Sequence, residues 1–254
     1  MMIRSALAVA AAFSMTACAT TTQDSSSTGV YDPFEGWNRN VYAFNEVVDK
    51  AALEPTARAY RAVTPGFFRD GVNNFLSNLG QPVVFVNSVL QANPDASADT
   101  LGRFLINTTV GIGGIFDVAS TLGVEKHNED FGQTLGVWGV EEGPYLMLPL
   151  LGPSNLRDTA GMVTEFEDPD LDEQIAVGRT VVGALATRER LIETIETLRS
   201  QPEPYVALRR NYTTQRQAAV RNGQIEADPY KDLPDFDAFM DDDEDASASD
   251  NQQE

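Results

Sequence analysis

Residues 35–48 read Glu35-Gly36-Trp37-Asn38-Arg39-Asn40-Val41-Tyr42-Ala43-Phe44-Asn45-Glu46-Val47-Val48, and they decide the fold class. Trp37, Val41, Phe44 and Val48 step by four, three and four, which lines them along one face of a helix. The spacing predicts a helix from Gly36 to Arg61, ended by Thr64-Pro65-Gly66. In front of it, Asp32-Pro33 sets an extended turn. Phe34 and Trp37 are expected to pack as a staple, with Glu35 complementing the helix dipole and Asn38 and Arg39 on the opening turn.

Working outward, the same period recurs. Phe68, Val72, Phe75 and Leu79 predict a helix over Phe68–Asn78, which Gly80-Gln81-Pro82 punctuates. Pro82 to Leu90 holds the β-branched and aromatic run Val83-Val84-Phe85-Val86, but Pro82 suits a first helical position, so a further helix is expected. Asn93-Pro94-Asp95 opens the next, with Leu101, Phe104 and Leu105 on its face and the Asp95 carboxylate as the expected cap. Ile175, Val182, Leu185, Ile192, Ile195 and Leu198 predict a helix from Asp172 to about Arg199. A last one is expected from Tyr205 to Arg221, with Leu208 and Tyr212 inward.

Residues 107–157 differ. Glycines and prolines, from Gly111 to Pro153, are spread among apolar residues with no helical period. A long stretch without regular structure is normally functional or disordered, and this one is too apolar for disorder. It is expected to pack on the domain or to sit in lipid.

The ends differ again. Arg4, the apolar run Ala6–Phe13 and the small residues before Cys18 form a secretory signal over residues 1–17. Cys18, the only cysteine, stands where a bacterial lipid anchor is attached, and Ala19 rather than Asp leans towards the outer membrane. Residues 18–30 read as a flexible tether, and residues 31–225 as one domain large enough for a core. Residues 226–254 carry twelve acids against Lys231 and are expected to be a disordered acidic tail.

Charge and chemistry exclude several classes. The formal net charge is −20, and after the tail and Arg4 are set aside residues 18–225 still hold −10. Nucleic acid is therefore not an expected partner. Seven arginines lie between Arg188 and Arg221, either as a solvated helix face or as a patch for lipid phosphates or an acidic partner. The one histidine, His127, lies in a polar turn, and no serine sits in a nucleophile elbow. Neither Cys/His spacing for zinc nor a tight calcium loop is present. Gly111-Ile112-Gly113-Gly114 has no following Lys-Ser/Thr, so it is not a phosphate loop. No enzyme, metal or cofactor is expected.

With these residues in hand, the chain resembles the MlaA (VacJ) lipoproteins. Asp32-Pro33-Phe34-Glu35-Gly36-Trp37-Asn38-Arg39 with Tyr42-Ala43-Phe44-Asn45 carries the resemblance, as do Phe75–Leu79 and Pro82–Asn87. The most distinctive piece is Arg103–Ala119, continued by Phe131-Gly132-Gln133-Thr134-Leu135-Gly136, by Gly143–Pro149 and by Gly152–Asp158. The resemblance covers roughly Tyr31 to Tyr212, and the chain departs from better-known members at Met15 and in its acidic tail. It implies an all-α, ring-shaped bundle of amphipathic helices in the inner leaflet of the outer membrane, enclosing an amphipathic channel. It implies a channel helix with Asp32, Pro33, Phe34, Asn38, Arg39, Phe44 and Asn45. It implies a Gly-rich gate hairpin with Gly111, Gly113, Gly114, Phe131, Gly132, Gly136, Pro144, Tyr145 and Pro149. The implied partners are phospholipids, a trimeric outer-membrane porin and a periplasmic lipid carrier. The implied function is removal of misplaced phospholipids from the outer leaflet, maintaining lipid asymmetry. A non-catalytic scaffold bound to porins remains the alternative.

Overall fold

The computed structural model describes residues 30–165 and 173–222. Cys18 with the signal segment, the tether up to Gly29, Asp172 and the acidic tail lie outside the described residues. The chain is mostly helical, as the periodicity predicts. Helix α1 (Glu35–Val48) runs through a π-helical turn (Asp49–Leu53) into α2 (Glu54–Val63). Pro55 has no N–H to continue the α ladder, and the wider turn stands directly before it. Then come α3 (Gly66–Leu90), α4 (Pro94–Thr109), the one-turn α5 (Val118–Thr121) and α6 (Phe131–Val137). Strands β1 (Tyr145–Leu148) and β2 (Gly152–Asn155) form an antiparallel hairpin in the register Tyr145 to Asn155 and Leu148 to Gly152. Helices α7 (Leu156–Glu165), α8 (Glu173–Arg190), α9 (Ile192–Arg199) and α10 (Pro204–Val220) complete the order.

Four local expectations change. The two helices expected on either side of Gly80-Gln81-Pro82 are one, α3, with Pro82 inside it. Pro82 is exposed, so its ring meets no packed neighbour, and α3 is carried through by packing along α4. Residues 107–157 are not irregular throughout, because Asp117 and Asp130 cap α5 and α6 by accepting from the amides of Ser120 and Gln133. The cap of α4 is Asn93, which accepts from Ala96 N at 3.1 Å, rather than Asp95. The helix expected to reach Arg199 breaks at Leu191 (φ −91°, ψ 9°), which turns Ile192 inward.

The apolar core is small. Val41, Tyr145, Met147 and Tyr205 form it, where the hairpin lies between α1 and α10. Tyr42, Tyr145, Tyr205 and Tyr212 meet there edge to face, at centroid distances of 5.8 to 6.2 Å. Phe34 and Trp37 do not form a staple: both are exposed, Trp37 by 65%, because Asn38 and Val41 take the inward positions.

Charge does the rest of the joining. Arg188 grips Asp49 with two bonds of 2.7 and 2.9 Å, and Arg199 reaches Glu46, Asp49 and Glu54. Arg209 pairs with Asp32 at 2.7 Å, and Arg216 pairs with Asp130 and Asp158. The arginine-rich C-terminal helices are therefore neither a solvated face nor an open anion patch at these four positions. They bind acids on distant elements, most of them shielded from water, where removal of one partner is costly.

Candidate functional site

Helices α3 and α4 are inside out. Of the predicted stripe, Phe68, Phe75 and Leu79 point outward and Val72 is half-buried; Phe67, Val83, Val86 and Val89 join the outward face, with Phe67 78% exposed. The inward face of α3 carries Asn78, Gln81, Asn87 and Ser88, and that of α4 carries Thr100, Arg103 and Asn107, all buried. Leu101 and Leu105 of α4 point outward as well. On α1, Trp37 and Phe44 are exposed while Asn38 is fully buried. A domain folding in water buries its apolar groups. A shell this apolar marks a surface for contact with hydrocarbon or another protein. Among the described residues, no helix is long and apolar enough to cross a membrane.

Between α3 and α4 lies a polar seam around a cavity of about 10 Å³, lined by Asn74, Ser77, Asn78, Gln81, Arg103, Asn107 and Asp117. This is space for one water-sized group. Asn78 donates to Thr108 Oγ1 at 2.9 Å, Gln81 to Ser77 O at 3.3 Å and Asn74 to Ile115 O at 3.2 Å. Asn78 Oδ1 and Gln81 Oε1 are buried acceptors without a protein donor. Leaving each dry would cost about 1–3 kcal/mol, so the seam favours hydration. Arg103 closes it, donating to both Asp117 oxygens at 2.8 and 2.7 Å and to Val124 O at 2.6 Å. Burial opposes ionisation of Asp117, but hydrogen bonds from Ser120 and Asn107 and the charge of Arg103 outweigh it and hold the carboxyl at about 2.

The predicted gate residues do not share one hairpin. Gly111, Gly113 and Gly114 form the turn after α4, over the seam, with φ of +70° at Gly113 and +93° at Gly114. A side chain on Gly114 would lie 2.4 Å from Asn78 Cβ, so glycine lets this turn sit directly on the amide. Phe131, Gly132 and Gly136 belong to α6, where Gly132 lies against Gly161 of α7. Pro144, Tyr145 and Pro149 belong to the β-hairpin or border it. The three groups separate because two short capped helices and a strand pair fill the stretch where one insert is expected.

The hairpin and the predicted channel helix do meet. Asn38 Nδ2 donates to Tyr145 O at 3.0 Å, and Asn38 Oδ1 accepts from Met147 N at 2.8 Å. Two turns further along α1, Asn45 Nδ2 donates to Leu148 O at 2.9 Å and Asn45 Oδ1 accepts from Leu150 N at 2.8 Å. Asp32 steadies this latch, accepting from Asn38 at 2.8 Å, from Arg209 at 2.7 Å and from the Tyr205 hydroxyl. Pro33 and Phe34 make the turn into α1, and Phe34 O accepts from Asn38 N at 2.9 Å. Arg39 pairs with Glu35 at 2.8 Å, and its guanidinium lies over the Tyr205 ring. Phe44 projects outward beside the latch.

The sequence reading missed Asn78, Gln81, Asn107 and Asp117 as site residues. The signal was available: Asn74, Asn78, Gln81 and Ser88 recur at helical spacing opposite the apolar stripe.

Comparison with known proteins bears on this arrangement. The family model described as "MlaA lipoprotein" matches residues 30–219. The intermembrane phospholipid transport system lipoprotein MlaA of Escherichia coli (strain K12) is 36% identical over 221 residues, covering 84% of this chain and 87% of its own length. The protein of the same name from Haemophilus influenzae is 30% identical over 237 residues, covering 90% and 94%. An uncharacterized protein of Rickettsia typhi is 38% identical over 198 residues, covering 76% and 79%. A solved structure described as "Structural basis for maintenance of bacterial outer membrane lipid asymmetry" superposes with a TM-score of 0.68 at 35% identity, over 74% of this chain and 98% of its own.

Proposed function

This chain belongs to the MlaA lipoprotein family, and from that premise we propose that it moves phospholipids out of the outer leaflet of the outer membrane and so maintains lipid asymmetry. It is held at the periplasmic side by an acyl chain on Cys18. Its helices lie in the inner leaflet around an amphipathic channel, beside a trimeric porin, and it passes lipid to a periplasmic carrier. One observation carries this reading: α3 and α4 turn Phe67, Phe68, Phe75, Leu79, Val83, Val86, Leu101 and Leu105 outward and Asn78, Gln81, Asn87, Asn107 and Arg103 inward. A phospholipid crossing a membrane needs water or polar groups at its charged head and hydrocarbon at its tails, since an unpaired buried charge is very costly. A polar seam under an apolar shell supplies both. No covalent bond changes, so the transfer needs no nucleophile, general base or cofactor.

The seam as it stands admits only a water-sized group, so a head group requires it to widen. The Gly111–Gly114 turn and the hairpin are the elements placed to move. The first carries three successive left-handed residues, Ile112, Gly113 and Gly114, over the seam, and the second hangs on α1 by the amides of Asn38 and Asn45. The test is surface-exposed phospholipid in cells lacking the protein. We expect it to rise, to fall again with the intact gene, and to stay high with Cys18→Ala. A folded, membrane-bound Asn78→Leu/Gln81→Leu protein that restores asymmetry fully would defeat the channel reading and favour the scaffold.

A further inference from the structure

His127, the only histidine in the chain, is not a free side chain in a polar turn. Its Nε2 lies 3.0 Å from Asp99 Oδ2, and the side chain is 21% exposed. Asp99 comes from α4, one turn before Arg103. Glu125 and His127 come from the link between α5 and α6, two residues apart. Glu125 is exposed, yet it converges on the pair: one ligand atom from each of Asp99, Glu125 and His127 lies within 4.8 Å of the other two. A hydrogen bond from the imidazole accounts for Asp99 alone. It leaves a second carboxylate close to the first, and among the described residues Glu125 has no ion-pair partner. Like charges at this range disfavour one another unless a cation joins them.

We propose that Asp99, Glu125 and His127 bind one divalent transition-metal cation of the zinc class. Two carboxylates and a neutral imidazole balance a double positive charge. The imidazole selects zinc or its neighbours over calcium and magnesium, which take oxygen ligands. Ligand atoms on a common ion at about 2.0–2.2 Å stand roughly 3 Å or slightly more apart, as His127 and Asp99 already do. Glu125 needs only a rotation of an exposed side chain to join them, and water completes the coordination. The position gives the ion a role. Val124, next to Glu125, accepts from Arg103 at 2.6 Å, so an ion here pins to α4 the same link that Arg103 holds at the edge of the polar seam. The site depends on none of the lipid chemistry proposed above and stands or falls separately from it.

The experiment uses the untagged full chain in detergent micelles, stripped with chelator and titrated with zinc alone. With a single histidine, the imidazole nitrogens give one unambiguous pair of resonances in a heteronuclear NMR spectrum. We expect Nε2 to shift as zinc is added and to saturate at one equivalent bound at this site. Glu125→Gln should weaken that transition by about tenfold or more, since one of three protein ligands is lost. Glu141→Gln, which removes the same charge from another exposed position, should leave it unchanged. Imidazole resonances that stay put at saturating zinc overturn the proposal, because zinc is then held elsewhere, as on the acidic tail. So does a Glu125→Gln protein that is folded by circular dichroism and titrates like Glu141→Gln.

Discussion

The side chain of Asn38 and the backbone of Met147 are joined by a buried hydrogen bond of 2.8 Å across 109 positions of sequence. With its bonds to Tyr145 O and Asp32, the amide uses both ends to hold strand β1 against α1. Asn38→Ala strands a buried amide and a buried carbonyl at once. We expect a loss of about 2–4 kcal/mol, at roughly 1–3 kcal/mol for each group left unpaired. Chemical denaturation of the detergent-solubilised protein checks it; a loss below 0.5 kcal/mol, estimated on the same scale as about the worth of a surface change, would contradict the latch.

Asn45 holds the tip of the same hairpin but is only partly buried. Asn45→Ala should therefore cost little stability, about 1 kcal/mol, while freeing the turn. Amide hydrogen exchange at Leu150 should speed up with the helices unaffected, and surface phospholipid in cells carrying the variant should change. Unaltered exchange at Leu150 would show that the amide does not restrain the tip.

The three glycines over the seam should differ when changed to alanine. A Cβ on Gly111 would meet Phe116 O at 2.2 Å and Asn107 O at 2.5 Å, both backbone atoms that cannot yield. On Gly114 it would meet the Asn78 side chain at 2.4 Å, in a left-handed conformation as well. On Gly113 it meets nothing, and only the φ of +70° opposes it, at about 1–2 kcal/mol. The expected order of thermal destabilisation is Gly111, then Gly114, then Gly113. Gly113→Ala emerging as the worst would mean that the turn packs differently.

Asp117 makes the fold sensitive to acid. Its carboxyl is held at about 2, below its ordinary value, so its contribution is complete above about pH 4 and is lost as the pH falls through about 2. The size is about 2 kcal/mol. Asp117→Asn should be less stable at neutral pH, because Arg103 keeps its buried charge without a carboxylate. The variant should also lose part of the stability slope between about pH 4 and pH 2, where this carboxylate takes up its proton. An unchanged slope would place the acid-sensitive group elsewhere.

Helix positions were legible in the sequence, but their facing was not. Period 3.6 places Trp37, Phe44, Phe68 and Phe75 on one side of a helix whatever solvent that side meets. Only the partner layer reveals that the stripe faces out and that Asn38, Asn78 and Gln81 face in. The hairpin was hidden by its glycines and prolines, and its β pairing depends on Asn38 and Asn45, a hundred residues away. The pairing of Arg188, Arg199, Arg209 and Arg216 with Asp49, Glu46, Asp32 and Asp130 is likewise non-local. No windowed reading of charge could have found it.

The π turn at Asp49–Leu53 has its own corollary. This wide turn holds one residue more than the α turn it replaces, so relaxing it to ordinary α winding with every residue kept would swing everything beyond it by roughly a quarter revolution. Arg58 and Arg61 would then face away from Glu196 and Glu189, which now receive them. The first half of the molecule is thus clocked against the second by a turn that absorbs one surplus amino acid, and deleting one alanine there would restore ordinary winding with both arginines still facing their partners.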